Sequence, residues 1–167
     1  MIRILACLMA VLPVVAWSAD NPDMDFFKHA AEGGIAEVEA GKLAESKGSS
    51  QAVKDFGAMM VKDHSAANNQ LKEIASSKGV NLPEHSGAAQ MAQKVKLEVL
   101  TGDTFDKSYI KGQITAHEQT VALFKKEIAS GTDAEAKSFA KETLPTVRVH
   151  LKKIQEMAAE AGVSAKK

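Results

Sequence analysis

Apolar residues recur along this chain at steps of three and four, and they do so in four long stretches. Steps of that size place side chains on one face of an α-helix, which turns once in about 3.6 residues. One stretch reads Asp106, Ile110, Ile114, His117, Val121, Phe124 and Ile128, and the next Ala136, Ala140, Thr143, Val147, His150, Ile154, Met157 and Ala161. An earlier one carries Val53, Phe56, Met60, His64, Ala67, Leu71 and Ile74. The first presents Phe27, Ala30, Ala31, Gly34, Val38 and Gly41, a face small enough for close helix approach, with Glu37 at its edge. Ala, Lys, Glu, Gln and Leu fill the remaining positions, so the pattern predicts helices over 23–47, 51–78, 104–130 and 134–161. Alternating strand patterns are absent.

Glycine, proline and capping residues punctuate these stretches. The breaks are Gly48-Ser49-Ser50, the segment from Gly79 to Gly87 with Pro83, Gly102-Asp103, and Gly131-Thr132-Asp133. Glycine closes a helix with a left-handed turn, while Ser50, Asp103 and Asp133 are suited to cap the free amides of the next one. Links of about three residues force the first and last helix pairs into antiparallel hairpins. The middle link runs from Gly79 to Asp103 and contains an amphipathic piece with Val95, Leu97, Val99 and Leu100. Part extended and part helical, it is long enough to traverse a bundle of about 40 Å. The expected fold is therefore all-α, a ferritin-like four-helix bundle with one long crossover between two antiparallel hairpins. A plain up-down bundle with an added lid helix is the alternative.

Three histidines interrupt the apolar stripes. His64, His117 and His150 stand near the middle of three different helices, and Glu37 lies near the middle of the fourth. His29 falls on a polar face and His85 in the crossover. An unpartnered buried imidazole costs about 1–3 kcal/mol, so three at one level must satisfy each other, hold water or ligate something. Glu37, His64, His117 and His150 are the candidate metal ligands, a set suited to zinc, copper, nickel or iron. Asp63 and Glu118 could orient the rings, and Met60 and Met157 would add soft sulfur for copper. A metal-free polar layer that fixes helix register is the competing explanation. Asp106 and Tyr109 suggest a buried hydrogen-bonded pair or a contact near a cap. Pro145 leaves the Lys141 carbonyl without its usual donor, about one turn before His150.

Composition adds compartment and excludes some partners. Residues 1–19 run from Met-Ile-Arg through an apolar stretch to Ala16-Trp17-Ser18-Ala19, the form of a cleaved secretory signal too short to span a bilayer. Residues 20–167 then form one domain, long enough to bury about 70% of its unfolded surface. Cys7, the only cysteine, falls inside the leader. Without Arg3 the chain carries 20 basic and 21 acidic residues, which argues against nucleic acid or an anionic membrane surface as main partner. No integral membrane segment is expected in the mature chain, whereas an envelope protein partner is compatible with it. Spacing says nothing of oligomeric state.

Several ordered motifs then take on a joint meaning. Gly33-Gly34-Ile35-Ala36-Glu37-Val38-Glu39, Asp63-His64, Phe105-Asp106-Lys107-Ser108-Tyr109, His117-Glu118 and Leu144-Pro145-Thr146 with His150 resemble the bacterial secreted family catalogued as domain of unknown function 4142. The resemblance implies a ferritin-like bundle exported to the periplasm or outer envelope, with no established activity. Di-iron members of that fold place a glutamate three residues before a histidine on two helices. Val61 and Val147 occupy those positions here, so ferroxidase chemistry is not expected. Two functions stay open: a periplasmic bundle holding one transition metal in a histidine-rich core, and a metal-free envelope stress or interaction module. Hydrolase or oxidase activity has the least support, because the mature chain lacks a cysteine, a nucleophile motif and a phosphate-binding glycine loop.

Overall fold

The structure is a computed structural model that describes residues 22–164; the expected leader, with Cys7, lies outside the described residues. Its helices are α1 (Pro22–Lys47), α2 (Gln51–Ser77), α3 (Ala88–Val99), α4 (Gly102–Ser130) and α5 (Ala134–Glu160), with no strand among the described residues. The four long helices agree with the periodicity to within two residues at each boundary. Ser50 caps α2 by accepting from the Val53 amide, and Asp133 caps α5 by accepting from the Glu135 and Ala136 amides. Asp103, expected as a cap, lies inside the first turn of α4, where it pairs with Lys107 at 2.7 Å. Thr101 holds the capping position without a side-chain bond.

Two aspartates fix the course of the chain. Asp23, at the start of α1, accepts from the Thr132 and Asp133 amides at 2.8 and 3.1 Å and from the Thr132 hydroxyl. Asp106, in the first turns of α4, accepts from the Ser49 and Ser50 amides, each at 2.8 Å. The start of each of these helices therefore clamps the turn at the end of the other, so α1 and α4 run antiparallel. Lys78, at the end of α2, bonds Asp133 at 2.7 Å and Glu135 at the start of α5. The crossover must consequently travel the length of the bundle before α4 begins. This is the single-crossover arrangement of ferritin-like bundles, and the plain up-down alternative is set aside.

Close contact within the first hairpin depends on missing side chains. A Cβ on Gly41 would meet the Gly57 carbonyl oxygen at 2.8 Å, and one on Gly57 would meet the Gly41 carbonyl oxygen at 2.7 Å. The apolar core falls into two parts. Toward the start of α1, Phe26, Phe27, Phe124 and Phe139 pack edge to face with Leu71 and Leu144. At the other end, Phe56, Met60, Phe105, Tyr109, Ile110 and Ile154 pack with Leu97 of α3. Each fully buried aromatic or aliphatic side chain contributes about 1.5–3 kcal/mol by leaving water. Between these two clusters lies a polar layer. Along α2 it falls between Met60 and Ala67, along α4 between Ile114 and Val121, and along α5 between Leu144 and Ile154.

Candidate metal centre

His64, His117 and His150 occupy that layer, 8%, 1% and 2% exposed. Their ring centroids form a nearly equilateral triangle with sides of 5.7, 5.5 and 5.6 Å. One nitrogen from each lies within 4.8 Å of the other two. Helical register brings them there, since each replaces a hydrophobe on an inward stripe, and the two aspartate clamps hold the hairpins at one height.

Hydrogen bonds orient two of the rings. The Nδ1–H of His117 donates to the Gln113 carbonyl one turn back at 2.9 Å. The Nε2–H of His150 donates to Asp63 Oδ2 at 3.0 Å. A carbonyl and a carboxylate can only accept, so these bonds place the proton on that nitrogen and leave the other with its lone pair. Those other nitrogens, His117 Nε2 and His150 Nδ1, are buried without a hydrogen-bond partner, as is His64 Nε2. Phe56 closes the layer on one side, its ring 6.4 Å from that of His117 and 6.5 Å from that of His150.

Burial sets the electrostatics of two of the rings. Burial, together with the two neighbouring imidazoles, pushes the His64 pKa down to about 3. Burial also lowers His150, against the opposing pull of Asp63. Both of these rings thereby favour the unprotonated form that ligates metal. Burial raises the carboxyl of Glu37, and it keeps the unpartnered hydroxyl of Tyr109 well above the usual phenol range.

Glu37 is placed differently from the three histidines. It is 5% exposed, but its carboxyl stands behind the His117 ring, with Oε1 3.7 Å from Nδ1 and Oε2 accepting from Gln113 Nε2 at 2.7 Å. The group of converging donors consists of histidines alone. Asp63 orients the ring of α5 rather than that of its neighbour His64, because adjacent helical residues point about 100° apart. Glu118 is exposed and holds no ring; the Gln113 carbonyl does that work instead. Met60 and Met157 belong to the apolar cluster beyond Phe56. Asp106 is a clamp on a turn, not the partner of Tyr109. Pro145 is exposed and lies inside an α5 that continues to Glu160. His29 and His85 are exposed, as the pattern predicts.

Sequence reasoning missed Gln113, whose place one turn before His117 on the same stripe was the available signal. It also missed Asp23 and Glu127. Glu127 is 3% exposed, and burial, followed by its hydrogen bond to Asp23, pushes its pKa up to about 7.

Fold and site together define a helical bundle whose core carries a converging histidine triad. The chain belongs to the family catalogued as domain of unknown function 4142, whose model matches residues 14–157. Two solved structures share the fold. A DUF305 protein of Streptomyces coelicolor, described as secreted, superposes with a TM-score of 0.75 at 15% identity, covering 90% of this chain and 99% of its own. A DUF305 fragment from Deinococcus radiodurans gives a TM-score of 0.74 at 12% identity, covering 83% of this chain and 96% of its own. No curated protein matches the sequence. No described helix is long and apolar enough to cross a membrane.

Proposed function

We propose that this protein is an envelope metal-binding bundle that holds one transition-metal ion on His64, His117 and His150. The observation that carries the reading is the convergence of three buried histidines, which bring one nitrogen apiece within 4.8 Å of the others and each hold a buried nitrogen without a hydrogen-bond partner. Left without a cation, those lone pairs are desolvated with nothing to replace the lost water, a cost of about 1–3 kcal/mol each. Three neutral imidazoles suit zinc or copper, and nickel or iron less specifically. Gln113 and Asp63 supply the outer hydrogen bonds that metal-ligating histidines characteristically donate. Glu37 and Asp63 stand behind two of the rings, where carboxylate charge offsets that of a divalent cation. Export agrees with the leader-like first 19 residues and with the secreted description of the Streptomyces protein.

Equilibrium dialysis with elemental analysis tests the proposal. One equivalent of copper or zinc is expected, falling to none in the His64→Ala, His117→Ala double variant; unchanged stoichiometry would overturn it. The second reading, a metal-free interaction module, draws on the apolar side chains of Met91, Val95 and Val99, which stand 52%, 60% and 77% exposed on α3. It predicts that the same histidine changes alter stability alone.

A further inference from the structure

The histidine triad provides three donors, whereas zinc and copper commonly take four or more. What occupies the next position is indicated by two adjoining spaces. An open groove of about 520 Å³ lies between α1, α3 and α4 and reaches Gly33 and Glu37. A smaller, more closed cavity of about 30 Å³ adjoins it, bordered by His64 on one side and by Phe124 and Phe139 on another. His29, Gly33, Glu37, Thr120 and Leu123 line both, so the two spaces adjoin there. His64 lines the inner cavity, and Leu71, Phe124 and Val147 make up much of the rest of its wall.

We infer that the metal keeps an open coordination position beside His64, and that the inner cavity admits a small ligand of roughly two or three light atoms to it from the groove. This rests on the histidine triad binding metal. Size follows from the cavity, which is too small for an amino acid or a nucleotide. Chemical class follows from the lining and the charge. Largely apolar walls favour a diatomic or linear triatomic molecule over a strongly hydrated ion, and three neutral ligands leave a cation free to accept an electron-rich donor. Glu37, whose carboxyl is held by Gln113 at 2.7 Å, and Thr120 are among the lining residues and add polar character to one side of the cavity. Gly33 faces open space where the two spaces adjoin, since a Cβ there would meet nothing within 4 Å.

The experiment uses the copper(II)-loaded protein with azide as probe, followed by absorption and electron paramagnetic resonance. Azide is expected to produce an azide-to-copper charge-transfer band and to change the copper signal, while imidazole, which is too bulky for the cavity, leaves both unchanged. Gly33→Phe, which puts a ring into the open space between groove and cavity, should slow azide association by about tenfold or more. Thr143→Leu, which fills the cavity from α5, should weaken azide by about tenfold at equilibrium. Copper stoichiometry should be unchanged in both variants. Copper bound without any azide response, imidazole binding as well as azide, or azide binding that ignores both variants would each overturn the inference and leave the triad in place. Failure of the wild-type protein to take up copper or zinc would overturn the triad reading, and the inference with it.

Discussion

Buried polar groups occur in two settings in this bundle, and they differ in one respect. At the ends, Asp23 and Asp106 are nearly inaccessible, yet each carboxylate accepts from two backbone amides of the opposite hairpin. In the middle, three imidazoles are as deeply buried, and each leaves a nitrogen with no partner. A buried polar group with its hydrogen bonds made stabilises and specifies a fold; one left unmade costs free energy and persists only where something else rewards it. The clamps explain the architecture. The triad leaves unmet donors that the proposed metal ion would satisfy.

Four measurements would break or sharpen that contrast. The largest effect on stability belongs to a clamp: Asp106→Ala strands the amides of Ser49 and Ser50 and should cost about 3 kcal/mol in chemical denaturation, with metal stoichiometry unchanged. A loss below about 1 kcal/mol would show that the clamp is incidental. The triad should respond in the opposite way. His64→Leu removes an unpaired donor from the core and should raise the melting temperature of the metal-free protein by a few degrees, while metal affinity falls by at least about a hundredfold. A lower melting temperature would mean that the imidazole is satisfied and structural.

Asp63→Asn is a finer probe, because Asp63 is 30% exposed and touches the site only through His150. Weakening of metal binding by about 10–100-fold, with little change in stability, is expected by calorimetric titration. Equal affinity for both proteins would remove the orienting role assigned to this carboxylate.

The smallest effects lie in the pH dependence, where the two settings carry opposite signs. His64 is pushed down to about 3 in the folded chain, so the unfolded chain binds the extra proton below about 6.5. Stability of the metal-free protein should therefore fall as pH drops from about 6.5 toward 3. Glu127 is pushed up to about 7, so the folded chain holds the extra proton, and its contribution falls as pH rises from the ordinary glutamate range near 4.5 to about 7. Denaturation curves at several pH values should show the acid-side loss reduced in His64→Leu and the neutral-side loss reduced in Glu127→Gln. Identical profiles in all three proteins would dismiss both assignments.

How much of this was legible in the residues differs from one feature to the next. The long helices were, because periodic burial and capping are local: Ser50 and Asp133 act within three residues of themselves, and Gly79 takes the left-handed turn that follows α2. The three histidines were legible as a set, since each breaks an apolar stripe near the centre of its helix. Gln113, Asp23 and Glu127 were not singled out, because their importance comes from Glu37, from the turn at Thr132 and from Asp23, residues distant in the chain or on another helix. Glu37 appeared as a companion of the triad, but its stripe position alone could not say on which side of the His117 ring its carboxyl would stand.

Along the chain, then, period and punctuation determined an all-helical bundle with two hairpins, a long crossover and imidazoles facing inward. Only the packed arrangement decided that those rings converge at centroid spacings of 5.5–5.7 Å, that Asp63 reaches His150 instead of orienting its neighbour, and that a cavity opens beside His64. The physical reason is range. Helix formation is settled by neighbours within one or two turns, whereas the convergence of nitrogens from three helices depends on the axial height and rotation of each helix, which the interlocking of side chains and the two aspartate clamps set together.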